Sequence, residues 1–341
     1  MSDSSRESGG WRPTATPAAL KTRAAMLART REFFSQRAVL EVETPILSAA
    51  AVSDPQLHSL RTHIAGILQP RYLHTSPEYA MKRLLAAGSG DIYQVCKVFR
   101  DEEQGRWHNP EFTMLEWYRL GFDDAALMTE VEALLACLLT GLRQLQPAER
   151  LTYSAALMRH AGIDAFTSSD ADLAQAAVRH GIHCESTLDR DAKLDLLMGL
   201  VVGPRLGFER PCFIHDYPAS QAALARLKPA NGGAALAGAA LAGAAPAVAA
   251  RFELYLDGVE LANGFHELAQ AGEQRARFIA DLRLREARGQ PQPPLDENLL
   301  AALQHGLPDC AGVALGFDRL VAIALGAKRL AEAISFTLDN A

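Results

Sequence analysis

Three short segments combine charged, aromatic and small residues at spacings that could do chemistry. The first runs Phe99-Arg100-Asp101-Glu102-Glu103 and returns through Arg106, His108, Asn109 and Pro110-Glu111-Phe112. An arginine at a strand end, facing a loop, offers a planar fork to a phosphate. Phe112 on the returning strand offers a ring on which a purine can stack. The second segment is Glu260-Leu261-Ala262-Asn263-Gly264-Phe265-His266-Glu267, two carboxylates seven residues apart around Asn and Gly. Oxygen ligands of this kind, shared with triphosphate oxygens, hold magnesium. His266 has no partner at metal-ligand spacing and reads as a structural or hydrogen-bonding histidine. The third is Ala311-Gly312-Val313-Ala314-Leu315-Gly316-Phe317-Asp318-Arg319. Small residues along a strand let a ligand or a backbone approach closely, and Arg319 supplies a second fixed cation. Taken singly, each segment also fits a plainer reading: a charged hairpin, a pair of surface glutamates, a tightly packed strand with a surface Asp–Arg pair.

Such residues need a scaffold, and the hydrophobic pattern predicts one. Leu20 to Gln36 reads as a helix with Leu20, Ala24, Leu27 and Phe34 on one face. Alternation predicts a strand over 38–44, which Pro45 ends or holds at an edge. Tyr72 to Thr75 is a short strand, and Ser76-Pro77-Glu78 opens a helix that stops at Gly88. Strands over 92–99 and 112–118 are joined by a long charged hairpin loop, the usual place for function. Ala125 to Leu145 is an amphipathic helix, and 150–210 should hold two or three more. Further strands fall at 211–216, 252–261 and 311–315, with helices over 273–288 and from Gly316 onward. There is no βαβ rhythm and several strands pair as hairpins. The expectation is an α+β fold, a mainly antiparallel sheet flanked by helices. No Gly-x-Gly-x-x-Gly or Walker sequence follows a strand, so a nucleotide would not sit in a Rossmann or P-loop cradle. Residues 1–10 read as a disordered tip, 11–341 as one domain, and the Ala/Gly-rich 229–250 as a flexible loop or insertion.

Composition excludes several classes of function. The 341 residues carry a net charge of −6 and are 49% hydrophobic, which is globular composition. The acidic balance weighs against a nucleic-acid binder, because phosphate neutralisation needs clustered Lys and Arg. Cys96, Cys137, Cys184, Cys212 and Cys310 form no C-x-x-C pair, so reduced, mostly buried thiols are expected. Neither a signal-peptide core nor a membrane-length apolar run is present, and a cytoplasmic protein is expected.

In order and spacing, the helix–strand–Pro45 unit, Phe99-Arg100-Asp101-Glu102 through Phe112, and Gly316-Phe317-Asp318-Arg319 resemble the three signature motifs of class II aminoacyl-tRNA synthetases. The finer likeness is to the lysine branch. It is carried by Thr75-Ser76-Pro77-Glu78, His108-Asn109-Pro110-Glu111-Phe112-Thr113-Met114-Leu115-Glu116-Trp117-Tyr118, and Glu260 to Glu267, and it extends from about Trp11 to the end. Because the pattern begins near Leu20, no room is expected for an anticodon-binding barrel. The chain therefore resembles the truncated lysyl-tRNA synthetase paralogues that act on translation elongation factor P.

That resemblance implies ATP-dependent formation of an aminoacyl-adenylate from (R)-β-lysine, then transfer to a lysine ε-amine of elongation factor P, by a homodimer. It implies catalytic roles for Arg100, at the α-phosphate and substrate carboxylate, and for Arg319, at the γ-phosphate or adenine. Asp101, Glu102, Asn109, Phe112, Glu260, Leu261 and Gly316 would meet ATP, and Glu260 with Glu267 would anchor Mg. Ser76, Pro77, Glu78 and Glu267 would meet the amino acid, and Glu116 and Tyr118 its distal ammonium. Position 101 is Asp where lysyl enzymes have Asn, and the middle glycine of the third motif is Ala314, whose methyl is expected to favour a β-amino acid. Two other readings compete: a tRNA-charging enzyme without an anticodon domain, and a non-catalytic binding protein. Acceptor labelling separates the first, and ATP–pyrophosphate exchange the second.

Overall fold

A computed structural model of the chain describes residues 11–185, 187–230 and 247–341. The tip at 1–10 and most of the Ala/Gly-rich stretch lie outside the described residues. Helix α1 (Pro17–Ser35) is capped by Thr16, whose hydroxyl accepts from Ala19 N at 3.1 Å, with Pro17 in its first turn. Short strands β1 (Leu40–Glu41), β2 (Leu47–Ser48), β3 (Arg61–Thr62) and β4 (Arg71–Leu73) lead to α2 (Glu78–Ala86). The long hairpin β5 (Ile92–Phe99) and β6 (Glu111–Leu120) precedes α3 (Asp124–Leu139). Then come β7 (Glu149–Thr152), α4 (Tyr153–Ala161), α5 (Asp170–Arg179), α6 (Arg190–Leu197), β8 (Cys212–Pro218) and β9 (Leu227–Pro229). A second hairpin, β10 (Ala247–Leu256) and β11 (Val259–His266), is followed by α7 (Ala271–Ala287), α8 (Glu297–Gly306), β12 (Cys310–Gly316) and α9 (Phe317–Ala324).

The main sheet has the order β1-β5-β6-β12-β11-β10-β8-β7, with β9 beside β10. Only the outer pairs β1–β5 and β7–β8 are parallel. The predicted α+β class with a mainly antiparallel sheet therefore stands. One face is closed by an apolar layer that includes Phe34, Trp117, Leu134, Phe252, Val313 and Phe317. The other face is covered at one end by Met81, Leu85, Phe278 and Leu299 from α2, α7 and α8. A third cluster, around Tyr153, Leu157, Leu194 and Ile214, packs α4 and α6 against β8. Between the second and third clusters the sheet face is open, and the functional cavity lies there.

Asp318, at the start of α9, ties the three motif segments together. Its carboxylate lies 2.5 Å from Arg23 of α1 and accepts from Thr113 N of β6 at 2.8 Å, while Arg23 also donates to Thr113 Oγ1 at 2.7 Å. Asp318 is buried, so this ion pair is shielded from water and sensitive to loss of either partner.

Several boundaries differ from expectation for identifiable reasons. The strand expected over 252–261 is two strands joined at Asp257-Gly258, where φ is +53° and +73°. That is the two-residue hairpin turn which Asp-Gly favours. The strand expected over 38–44 shrinks to Leu40–Glu41 after Ala38 turns the chain at φ +55°. The helix expected to Leu145 stops at Leu139, and Gly141 follows at φ +75°. The buried stripe of α1 is Ala19, Met26, Thr30, Phe33 and Phe34. Ala24 is exposed, and with Leu27, Ala28 and Arg31 it lines a shallow surface groove.

Candidate active site

The open sheet face forms the floor of a cavity of about 900 Å³, large enough for two small substrates side by side. Side chains alternate along a strand, so β12 presents Gly312, Ala314 and Gly316 upward and Ala311, Val313 and Leu315 to the core. β6 presents Met114, Glu116 and Tyr118 beside them, with Tyr118 opposite Gly312 and Glu116 opposite Ala314. On the other side β11 presents Glu260, Asn263 and Phe265, with Glu267 just beyond its end. Glu260 and Asn263 are three residues apart, an odd step that should put them on opposite faces. A bulge corrects the phase: Ala262 pairs with Leu254 and Glu260 with Tyr255, so Leu261 is the extra residue.

One end of the cavity is an acidic pocket. Glu78 enters from the first turn of α2, set by Ser76 Oγ accepting from Glu78 N at 3.1 Å, with Pro77 buried beneath. Glu116 and Glu267 are 2% and 1% exposed. Tyr118 donates to Glu116 Oε1 at 2.7 Å, and Glu116 Oε2 has no hydrogen-bond partner among the described residues. Lys82, 1% exposed, places Nζ 2.7 Å from Glu78 Oε1 and 2.6 Å from Glu267 Oε2, the latter an ion pair without hydrogen-bond alignment. Burial, then the neighbouring Glu78, pushes the Glu116 carboxyl up to about 8. Burial pushes Glu267 up to about 8 as well, against the pull of Lys82. Gly312 is required here: a Cβ would lie 2.3 Å from the Tyr118 ring and 2.6 Å from Glu267 Oε1.

The other end is cationic and aromatic. The Arg100 guanidinium lies 5.2 Å from the Phe112 ring centroid, a cation–π distance, and Arg100 Nε donates to Thr75 O at 3.3 Å. Arg319 is fixed by two backbone acceptors, Trp107 O at 3.1 Å and Glu260 O at 3.0 Å. Asn109 is buried; its amide donates to Glu111 O at 2.6 Å and accepts from Leu338 N at 3.2 Å. A methyl on Gly316 would meet nothing nearer than Arg319 Cδ at 3.5 Å, so that glycine is not sterically demanded. Burial, then Glu253, raises the Glu260 carboxyl to about 7, opposed by Arg319, Arg251 and Arg100.

The cavity wall therefore brings together Ser76, Pro77, Glu78, Arg100, Asn109, Phe112, Glu116, Tyr118, Glu260, Leu261, Glu267, Ala314, Gly316 and Arg319. It does not include Asp101 or Glu102, which are exposed on the hairpin tip where Glu102 takes φ +64°. Glu103 lines the wall instead, 3.4 Å from His108. The two carboxylates of the expected metal pair, Glu260 and Glu267, line the same cavity among different charges. The strongest charges on Glu260 are Glu253 and three arginines, whereas Glu267 answers to Lys82, Glu78 and Arg226. Among the described residues no group of three or more His, Cys, Asp or Glu is arranged to hold a metal. His266 is structural, with Nε2 3.0 Å from Asp309.

Three wall or support residues escaped sequence reasoning. Lys82 is the i+4 partner of Glu78, a spacing that signals an ion pair but not its burial. Arg251 donates to Asn263 Oδ1 at 3.1 Å and pairs with Glu253 at 2.5 Å, and Tyr255 donates to Glu253 at 2.7 Å. Arg251 and Glu253 alternate with core residues in β10 and carried no other signal.

A family model described as tRNA synthetases class II (D, K and N) matches residues 10–340. Among curated relatives, the elongation factor P–(R)-β-lysine ligase of Edwardsiella ictaluri is 49% identical over 337 residues, covering 97% of this chain and 98% of the relative. The proteins of the same name from Klebsiella pneumoniae subsp. pneumoniae and Salmonella typhi are 48% and 49% identical over 341 residues, each covering 98% of this chain and 99% of the relative. With its antiparallel sheet and with the three motif segments meeting at one cavity, the chain belongs to the class II tRNA synthetase family, in the group formed by the D, K and N enzymes.

Proposed function

We propose that this protein is a ligase that activates (R)-β-lysine with ATP and transfers it to a lysine ε-amine of translation elongation factor P. The observation that carries this reading is one cavity with a buried carboxylate pocket at one end and two fixed arginines at the other. The relatives' shared name supplies the β-amino acid and the acceptor. In the first step a carboxylate oxygen of the amino acid attacks the α-phosphorus and pyrophosphate leaves. In the second, the acceptor amine attacks the activated carbonyl, AMP leaves, and the amine's proton passes to solvent. No protein nucleophile is needed; positioning and charge neutralisation do the work.

Arg100 stands between two anions that must meet, the carboxylate and the α-phosphate, and lowers their repulsion. Arg319 holds the triphosphate or the adenine edge, with Phe112 stacking on the ring and Asn109 shaping its seat. Leu261 and Gly316 flank the nucleotide. Glu116, Tyr118, Glu78 and Glu267 receive the ammonium groups, because a desolvated cation needs a carboxylate partner. Magnesium arrives with ATP. Glu260, a carboxylate at the nucleotide end, would hold magnesium and so help neutralise the phosphates, whereas Glu267 faces the amino-acid end.

Residues 11–341 act as one catalytic domain in this reading, and the protein works in the cytoplasm. The groove on α1 near the 55%-exposed Leu40 is the face we assign to a homodimer contact. No described helix is long and apolar enough to cross a membrane. The test is ATP–pyrophosphate exchange with (R)-β-lysine and α-lysine, followed by transfer of labelled amino acid to elongation factor P or to tRNA. Exchange favouring (R)-β-lysine with label on the protein supports the reading. Absence of exchange, or label on tRNA alone, overturns it.

A further inference from the structure

Lys82 has no role in the chemistry above, yet the fold buries it completely. A lysine is almost never placed there unless paired, and it brings no hydrogen-bond acceptor or stacking surface. Packing of α2 does not explain it, since Met81 and Leu85 make that contact. Its ammonium lies behind the pocket wall: Glu78, Glu116 and Glu267 line the cavity and Lys82 does not. Arg226, the other cation that acts on Glu267, is matched by Asp309 at 2.6 Å.

The charge balance gives a reason for the burial. Once substrate ammonium groups hold all three carboxylates ionised, these contribute minus three and Lys82 plus one, leaving minus two at the amino-acid end of the cavity. A diamino acid brings two ammonium groups, while its carboxylate lies at Arg100. We propose that Lys82 is a positioning residue that sets the net charge of the amino-acid pocket at minus two, and so makes the site specific for amino acids with two ammonium groups. Without it, one carboxylate faces no cation and must take a proton or hold a misplaced ammonium. With one carboxylate fewer, the pocket would suit a monoamine. This inference rests on the reading of the cavity as a lysine-type amino-acid site.

The test is a charge-balancing cycle read by ATP–pyrophosphate exchange. Lys82→Met should raise the KM for the diamino acid about tenfold or more, with the KM for ATP unchanged. Lys82→Met/Glu78→Gln and Lys82→Met/Glu267→Gln return the pocket to minus two, and at least one should recover about threefold or more of that loss. Glu78→Gln alone should narrow the preference for lysine over its 6-hydroxy analogue. A purely structural lysine gives the opposite pattern: each second substitution deepens the loss. That pattern, or a Lys82→Met KM within about twofold of the parent, overturns the proposal. Should Lys82→Met not fold, Lys82→Arg keeps the charge: an amino-acid KM within about twofold of the parent supports the inference, and a rise of about tenfold or more sinks it. A parent enzyme that exchanges with no diamino acid removes the functional reading itself, and this inference with it.

Discussion

Gly312→Ala is the sharpest test of the pocket geometry. The added Cβ would sit 2.3 and 2.4 Å from two Tyr118 ring carbons and 2.6 Å from Glu267 Oε1, contacts that cannot be kept. Tyr118 is 2% exposed and pinned by its 2.7 Å bond to Glu116, and Glu267 is pinned by Lys82. Relief must come from moving one of these groups away from the substrate. Overpacking of this kind costs about 1–3 kcal/mol, and loosening a hydrogen bond to a charged group costs about as much. If about 2 kcal/mol falls on amino-acid binding, the KM for the amino acid rises about 30-fold. The KM for ATP should hold, because Gly312 lies at the acidic end and the arginines at the other. Gly272→Ala in α7 is the control, since its Cβ meets nothing within 4 Å; it should be neutral or slightly stabilising. The assay is ATP–pyrophosphate exchange with each substrate varied in turn, beside a urea melt. An amino-acid KM within about twofold of the parent, in a folded variant, refutes the geometry, and so do equal rises in both KM values.

Three further outcomes follow from the same geometry. Ala314→Gly removes the methyl opposite Glu116 and should shift the preference between (R)-β-lysine and α-lysine by about 1–3 kcal/mol, read as the ratio of kcat/KM values; an unchanged ratio rejects the assignment. Glu116 and Glu267, raised from 4.5 to about 8, keep protons that the unfolded chain has released, so their contribution to stability is present below about pH 4.5 and is lost as the pH rises through 8. A diamino acid should therefore raise the melting temperature more at about pH 8.5 than at about pH 6.5, and Glu116→Gln should flatten that difference. Asp318→Ala leaves the partly buried Arg23 without its partner and should cost about 3–5 kcal/mol in urea denaturation; a loss under about 1 kcal/mol would show the triple junction to be incidental.

How much of this was legible depends on which forces wrote it. The β5 strand is legible to the residue, because its apolar composition and flanking turns are local signals. The β10–β11 hairpin reads as one strand because alternation on both sides masks the Asp257-Gly258 turn. On α1 the helix is plain and its buried face partly so: Phe34 is buried and Leu27 packs on the core, while Ala24 carries the same periodic signal yet is exposed. The hairpin loop resembled its motif, yet which of Glu102 and Glu103 faces the cavity depends on backbone geometry at the tip. Lys82 was hidden for a different cause. Nothing in an i,i+4 Glu–Lys pair tells a solvated helix face from a sealed one until α2 is docked on the sheet.

The bulge at Leu261 has a consequence for how such a chain can change over evolutionary time. It divides β11 into two stretches whose pleats run out of step, one carrying Glu260 and the other Asn263 and Phe265. Each stretch can accept new side chains without disturbing the other's facing. Length is the shared constraint. Losing or gaining a single residue between Glu260 and Asn263 would turn one half of the strand inside out, which makes this segment permissive to substitution and closed to insertion or deletion.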